Sequence, residues 1–299
     1  MFTAKTIPEI KQKLAEEKKL GKKIAFVPTM GALHRGHLSL VEKAREVADI
    51  VVVSLFVNKA QFNDLGDYQK YPRLLESDLA QLQSANVDYV FAPDEAEIYP
   101  QSDVASNDIS GNSYDNFAFK IIVTKFVDCL CGAARPGHFD GVALIVAKLF
   151  NIINSDVAIF GEKDFQQVLV IKKLVRDLNF DVEILTHKII REKNGLALSS
   201  RNQRLSEGLQ DKASNIFRIL SEIKSEVKNS DNQGQEKIKN ILQKKSAELL
   251  ALGFEKIDYL EIRDEENLQL LCNENSTKNL RIFIAVYLGG VRLIDNLKI

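Results

Sequence analysis

The residues Met30-Gly31-Ala32-Leu33-His34-Arg35-Gly36-His37 place two histidines three positions apart. They follow the apolar run 24–27 and open into Leu38-Ser39-Leu40-Val41, whose spacing predicts a helix. The histidines therefore sit where a buried strand hands over to a helix. Such a junction gathers unpaired backbone N–H groups and the positive end of the helix dipole, and both attract phosphate. Imidazoles placed there donate hydrogen bonds to phosphate oxygens as charge develops on them. The pattern points to a nucleotide site. Two blander readings stand beside it: histidines capping a surface turn, or part of a zinc site. Zinc needs further ligands, and His138, His187, Cys129, Cys131 and Cys272 show no C-x-x-C type of spacing.

Four further clusters carry polar groups at the ends of apolar runs. Asn58-Lys59-Ala60-Gln61-Phe62 follows the run 50–57, and its amides can bind hydroxyls and carboxylates without adding charge; a plain turn built on Asn58 is the alternative. In Gly161-Glu162-Lys163-Asp164-Phe165-Gln166-Gln167, Gly161 admits a ligand to the backbone, Lys163 neutralises phosphate and Asp164 is placed to cap a helix. Gln167, one turn beyond, faces the same side. Lys163 and Asp164 also read as an exposed pair. Leu198-Ser199-Ser200-Arg201-Asn202 offers two hydroxyls and a guanidinium as a clamp for triphosphate, or else a polar linker. Arg135-Pro136-Gly137-His138-Phe139-Asp140-Gly141 is either a stiff turn or a source of Arg135 and His138 for a cleft. Walker A and G-x-G-x-x-G patterns are missing, so neither P-loop hydrolysis nor dinucleotide redox is supported.

These clusters need elements to hold them. Short apolar runs at 24–27, 50–57, 87–91, 157–160 and 182–185 alternate with helical patterns such as 141–153 and 164–178. The runs show little alternation, as strands covered on both faces do. The expectation is a Rossmann-like, doubly wound parallel sheet over 1–188, binding its ligands at the carboxyl ends of the strands. Beyond it the texture changes. Ala213, Ile216, Phe217, Leu220, Ile223 and Val227 form one helical stripe, and Ile238, Ile241, Leu242, Leu249 and Leu252 another. Strand-like runs follow at 259–262, 282–288 and 291–294, the last two joined by Gly289-Gly290, a hairpin turn. This predicts a smaller α+β domain over 189–299, a C-terminal lid.

At 299 residues the chain has room for two cores. Its net charge of −1 leaves no electrostatic footprint for nucleic acid or an anionic membrane. The longest apolar stretch, 50–57, is far too short to span a bilayer. Three scattered cysteines imply a reducing compartment, and residues 1–5 lead straight into a charged helix without a signal-peptide core. A cytoplasmic location is expected. The stretch 101–118, rich in Ser, Asn and Asp, reads as a long surface loop.

His-x-Gly-His with a late Ser-Ser-Arg loop resembles the nucleotidylyltransferase superfamily and its class I aminoacyl-tRNA synthetase relatives. Pro28-Thr29-Met30-Gly31-Ala32-Leu33-His34, Arg135-Pro136-Gly137-His138-Phe139, the 161–167 motif and Leu198-Ser199-Ser200-Arg201-Asn202 narrow this to the pantoate–β-alanine ligase family, over essentially the whole chain in order. The resemblance implies that ATP and pantoate form pantoyl adenylate and pyrophosphate, and that the β-alanine amine then displaces AMP. It implies ATP contacts from Met30, Gly31, Ala32, Leu33, His34, Arg35, Gly36 and His37. Gly161, Glu162, Lys163, Asp164, Ile190, Leu198, Ser199, Ser200 and Arg201 complete that set. His34, His37, Lys163 and Arg201 are the catalytic candidates, with His37 as proton donor. Gln61 and Gln167 match pantoate-binding glutamines, and Gln61 also lies near the β-alanine position. Mg²⁺ arrives with the ATP phosphates, with no protein ligands assigned, and a homodimer is expected by family likeness alone. Lys59 stands where the family usually has proline, leaving the rigidity of the Gln61 loop open; the 101–118 stretch looks longer than usual. Two rivals remain: another adenylyl-transferring enzyme of the superfamily, and a nucleotide-sensing module without turnover. Neutral amides at 61 and 167 favour a small hydroxy acid, and the set of His34, His37, Lys163 and Arg201 favours turnover.

Overall fold

The apolar runs become strands β1 (Phe2–Ala4), β2 (Ile24–Thr29), β3 (Ile50–Leu55), β4 (Tyr89–Phe91), β5 (Val157–Gly161) and β6 (Glu183–His187) of one sheet. The structure, a computed structural model, describes residues 1–100, 119–229, 235–271 and 279–299. Strand order is β1-β4-β3-β2-β5-β6, with every pair parallel. The residues of β2 from Ile24 to Val27 are wholly shielded, which is why they lack a polar alternate face. From β2 the chain winds outward through β3 and β4, then returns to the other side of β2 for β5 and β6. Ala25 pairs with Val157 and Phe26 with Ala158, so the topological switch point lies between β2 and β5. Ligands of such sheets sit outside the strand carboxyl ends at that point.

Local differences from the sequence reading have physical causes. The N-terminus forms an edge strand before its helix: β1 pairs with β4, and helix Ile7–Lys19 follows with Thr6 and Glu9 in a reciprocal capping box. The run 50–57 leaves the sheet at Leu55, where the backbone turns toward Asn58. The helix expected at 141–153 starts at His138, because Gly137 at φ +80° takes the turn just before it. The helix expected at 164–178 is Phe165–Asp177, preceded by a 3₁₀ turn over Glu162–Asp164.

The chain divides into two compact units. The first comprises Met1–Lys125, Arg135–Glu162 and Gln167–Lys188; the second comprises Phe126–Ala134, Lys163–Gln166 and Ile189–Ile299. In the second, β7 (Lys256–Asp264), β8 (Leu280–Leu288) and β9 (Val291–Lys298) form an antiparallel sheet in that order. Gly289 and Gly290, both at positive φ, close the β8–β9 hairpin. Helix Asn215–Lys228 buries Ile216, Ile219, Leu220, Ile223 and Val227 in a core shared with Ile282, Ile284 and Val286. The fold is thus α/β with a small antiparallel sheet toward the C-terminus. The 101–118 stretch, Cys272 and residues 230–234 lie outside the described residues. Among the described residues, no helix is long and apolar enough to cross a membrane.

Candidate active site

The turn that leaves β2 at the switch point is built from backbone donors that one carboxylate collects. Asp78, in helix Leu75–Ser84 and only 2 % exposed, accepts the N–H of Ala32 at 2.8 Å and of Leu33 at 2.7 Å, one on each oxygen. Thr29 Oγ1 accepts the N–H of Gly31 at 3.1 Å and donates to Ser54 O at 2.7 Å. Gly31 sits at φ +74° and Ala32 at +50°, so this turn needs such anchoring. Burial pushes the Asp78 carboxyl above its ordinary range, and the two backbone bonds pull it back only in part.

The anchored turn delivers His34 to the N-cap of helix Arg35–Val47. Its Nδ1 accepts the Gly36 N–H at 3.1 Å. That bond places the proton of the neutral ring on Nε2, which is then a donor. The His34 and His37 rings stack with centroids 4.0 Å apart. The first turn of the helix holds no carboxylate, so the dipole's positive end is not offset by an acidic side chain there. His34 is thus a cap as the bland reading has it, and the cap itself aims a donor. Among the described residues no group of three or more His, Cys, Asp or Glu could hold a metal ion.

Gln61 lies beside this turn, in the same unit. It closes a 3₁₀ turn over Lys59–Gln61, and its Nε2 donates to Met30 Sδ at 3.1 Å. Asn58 Nδ2 donates to Gln61 Oε1 at 3.0 Å and to Gly141 O at 3.1 Å, while Asn58 Oδ1 accepts from the Tyr99 hydroxyl at 2.7 Å. Asn58 is therefore an orienting group as well as a turn residue. The Gly161 backbone ends β5 on the other side of the switch point, and Glu162 accepts from Thr186 Oγ1 at 3.1 Å. Gln167 is half-buried in the first turn of its helix.

In the second unit, Lys163 Nζ lies 3.5 Å from Asp164 Oδ2, so Asp164 makes the pair that the sequence offered as an alternative. Lys163 O accepts from Asn296 Nδ2 at 2.9 Å. Next to Asn296, Asp295 receives Arg191 in a two-pronged ion pair at 2.6 and 2.9 Å. Burial raises the Asp295 carboxyl, and the Arg191 guanidinium opposes that rise. Arg191 adjoins Ile190, whose carbonyl accepts the Leu198 N–H at 3.0 Å. Ser199 then caps the 3₁₀ turn Ser200–Arg204, its Oγ accepting from the Arg201 N–H at 3.3 Å. A chain of contacts thus joins Lys163 to Ile190 and the 198–201 loop.

Sequence reasoning missed Asp78, Tyr99, Asp295 and Arg191, and gave Thr29 no role of its own within the motif that contains it. Each works through partners far along the chain or through backbone, and neither leaves a local pattern. It also left Gln166 without a role. Gln166, 5 % exposed, accepts the Cys131 N–H at 2.9 Å and donates to the carbonyls of Phe126 and Cys129, fixing the 126–131 loop.

A parallel sheet in this order, with His-x-Gly-His opening a helix at its switch point, defines an α/β protein of the class that binds ligands beyond the carboxyl ends of its strands. A family model described as pantoate-beta-alanine ligase matches residues 3–298. The pantothenate synthetase of Thermosipho melanesiensis is 43 % identical over 297 residues, 99 % of each chain. That of Marinomonas sp. is 44 % identical over 299 residues, 100 % of this chain and 99 % of that one. The crystal structure of pantothenate synthetase from Thermus thermophilus superposes with a TM-score of 0.86 at 40 % identity, covering 100 % and 99 % of the two chains. The Francisella tularensis pantoate-beta-alanine ligase, solved with beta-gamma ATP and beta-alanine, gives a TM-score of 0.77 at 36 % identity, covering 100 % and 97 %. The chain belongs to the pantoate–β-alanine ligase family, and is an enzyme of the ligase class.

Proposed function

We propose that this chain condenses (R)-pantoate with β-alanine at the expense of ATP, through a bound pantoyl adenylate. The observation that carries the reading is the contact of Gln61 Nε2 with Met30 Sδ, which sets a neutral amide side chain directly against the histidine turn. An oxygen of the pantoate carboxylate attacks the α-phosphorus and the bond to pyrophosphate breaks. The β-alanine amine then attacks the acyl carbon, AMP leaves with the carboxylate oxygen, and the amine loses a proton. No covalent enzyme group is needed when the reactants are aligned.

Gln61 and Gln167 hold the pantoate. His34 and His37, with His37 as proton donor, and Lys163, Ser199, Ser200 and Arg201 meet charge on the transferring and leaving phosphates. Residues 30–37, 161–164, 190 and 198–201 make up the ATP contacts, with 1–188 as the catalytic domain and 189–299 as a lid domain. Mg²⁺ would enter on the triphosphate and offset its charge. Hard cations of this kind take oxygen ligands and keep several waters, so such an ion asks little of the protein. Support for ATP and β-alanine as ligands comes from the Francisella relative's complex. A cytoplasmic homodimer completes the proposal.

His37→Ala should slow adenylate formation by about 10²–10³. It should leave attack of β-alanine on preformed pantoyl adenylate much less affected, since pyrophosphate has already departed. Single-turnover kinetics of the two half-reactions decide it. Equal slowing of both, or loss of stoichiometric zinc on mutation, would sink the assignment.

A further inference from the structure

The Arg135-Pro136-Gly137-His138 motif has a role in the geometry that its sequence left open. Gly137, at φ +80°, folds the segment back so that the His138 N–H donates to Arg135 O at 3.1 Å and the two side chains meet. His138 Nδ1 then lies 2.7 Å from the carbonyl oxygen of Gln61, and Arg135 Nη2 donates to that same oxygen at 3.0 Å. Arg135 Nη1 lies 3.1 Å from His138 Nε2.

These three contacts allow one protonation pattern. A carbonyl oxygen only accepts, so Nδ1 carries the proton; a guanidinium only donates, so Nε2 is bare. His138 is the neutral Nδ1–H tautomer, 7 % exposed, with its ring tilted against Phe139 at 4.9 Å. The Gln61 carbonyl oxygen thus accepts from two side chains of one turn.

We infer that Arg135 and His138 are positioning residues for recognition of the hydroxy acid, acting through the main chain of Gln61. The inference rests on the reading of Gln61 as a pantoate-binding residue. Asn58 orients the Gln61 side chain, whereas the Arg135–His138 pair fixes the backbone from which that side chain springs. This fixing matters because Lys59, the first residue of the Lys59–Gln61 turn, leaves φ unconstrained where a proline would set it. The clamp supplies from outside the rigidity that the local sequence lacks.

Steady-state kinetics of the full chain test it, with pantoate and ATP varied separately and thermal unfolding run in parallel. His138→Ala and Arg135→Ala should each raise the pantoate KM about tenfold or more, with the ATP KM changed less than about twofold. His138→Asn puts an amide N–H at the Nδ1 position and should restore most of the loss. His138→Gln reaches the Nε2 position instead and should not. Those two amide variants keep the comparison decisive if either alanine variant fails to fold. Gln61→Ala is the reference. If it raises the pantoate KM while the Arg135 and His138 variants do not, the clamp is refuted. Equal KM values for His138→Asn and His138→Gln, or matched rises for ATP and pantoate, refute it too. An unchanged pantoate KM in Gln61→Ala overturns the underlying reading of Gln61 instead.

Discussion

Asp78 shows how much of this site rests on residues with no reactive role. Its two oxygens satisfy the N–H groups of Ala32 and Leu33, both buried, in a turn that carries two consecutive positive φ angles. Asparagine offers one acceptor there and turns a donor toward the other N–H. Asp78→Asn should therefore lose about 1–3 kcal/mol of stability. Because burial raises the Asp78 pKa above its ordinary 3.8, the folded chain binds that proton more tightly than the unfolded chain. Denaturant unfolding at neutral pH, compared between the wild type and Asp78→Asn, measures that loss of stability. A variant as stable as the wild type would contradict the assignment. None of this is legible in the sequence, since Asp78 lies 45 residues from its partner Leu33 and binds backbone, which has no residue type. The His34–His37 pair was legible for the opposite reason: its placement depends on a strand and a helix that adjoin it directly.

At the scale of elements, the sequence pattern disclosed what periodicity can disclose. Unalternating runs marked β2, β3 and β5, and the helical stripe from Ile216 to Val227 marked its helix. It passed over β1, whose three residues bury only Ala4 fully and are too short to show a period. The close approach of helix His138–Ile153 to the Lys59–Gln61 turn was equally hidden. There Gly141 leaves no room for a side chain: a Cβ would lie 2.2 Å from Ala60 O and 2.7 Å from Gln61 N. Both are backbone atoms and cannot swing aside. Gly141→Ala should cost about 1–3 kcal/mol through overpacking and raise the pantoate KM by displacing Gln61. Thermal unfolding and steady-state kinetics check it. An alanine variant with wild-type Tm and pantoate KM would show that the contact is not tight.

Over the whole molecule, the α/β class and the family were legible because the motifs run in order along the chain and the family match spans 3–298. The membership of Phe126–Ala134 and Lys163–Gln166 in the second compact unit was not. It depends on contacts such as Cys131 Sγ with the Tyr259 hydroxyl at 3.1 Å and Asn296 Nδ2 with Lys163 O, across more than a hundred residues. The central claim is that one chain joins two acids through an adenylate that waits for its amine. The most direct measurement incubates the purified chain with ATP, Mg²⁺ and (R)-pantoate, with and without β-alanine, following pyrophosphate and AMP separately. Without the amine, a burst of pyrophosphate with no AMP release is expected; with it, both should appear steadily and in equal amounts. Steady AMP release with a different acid, and none with pantoate, would contradict the claim outright.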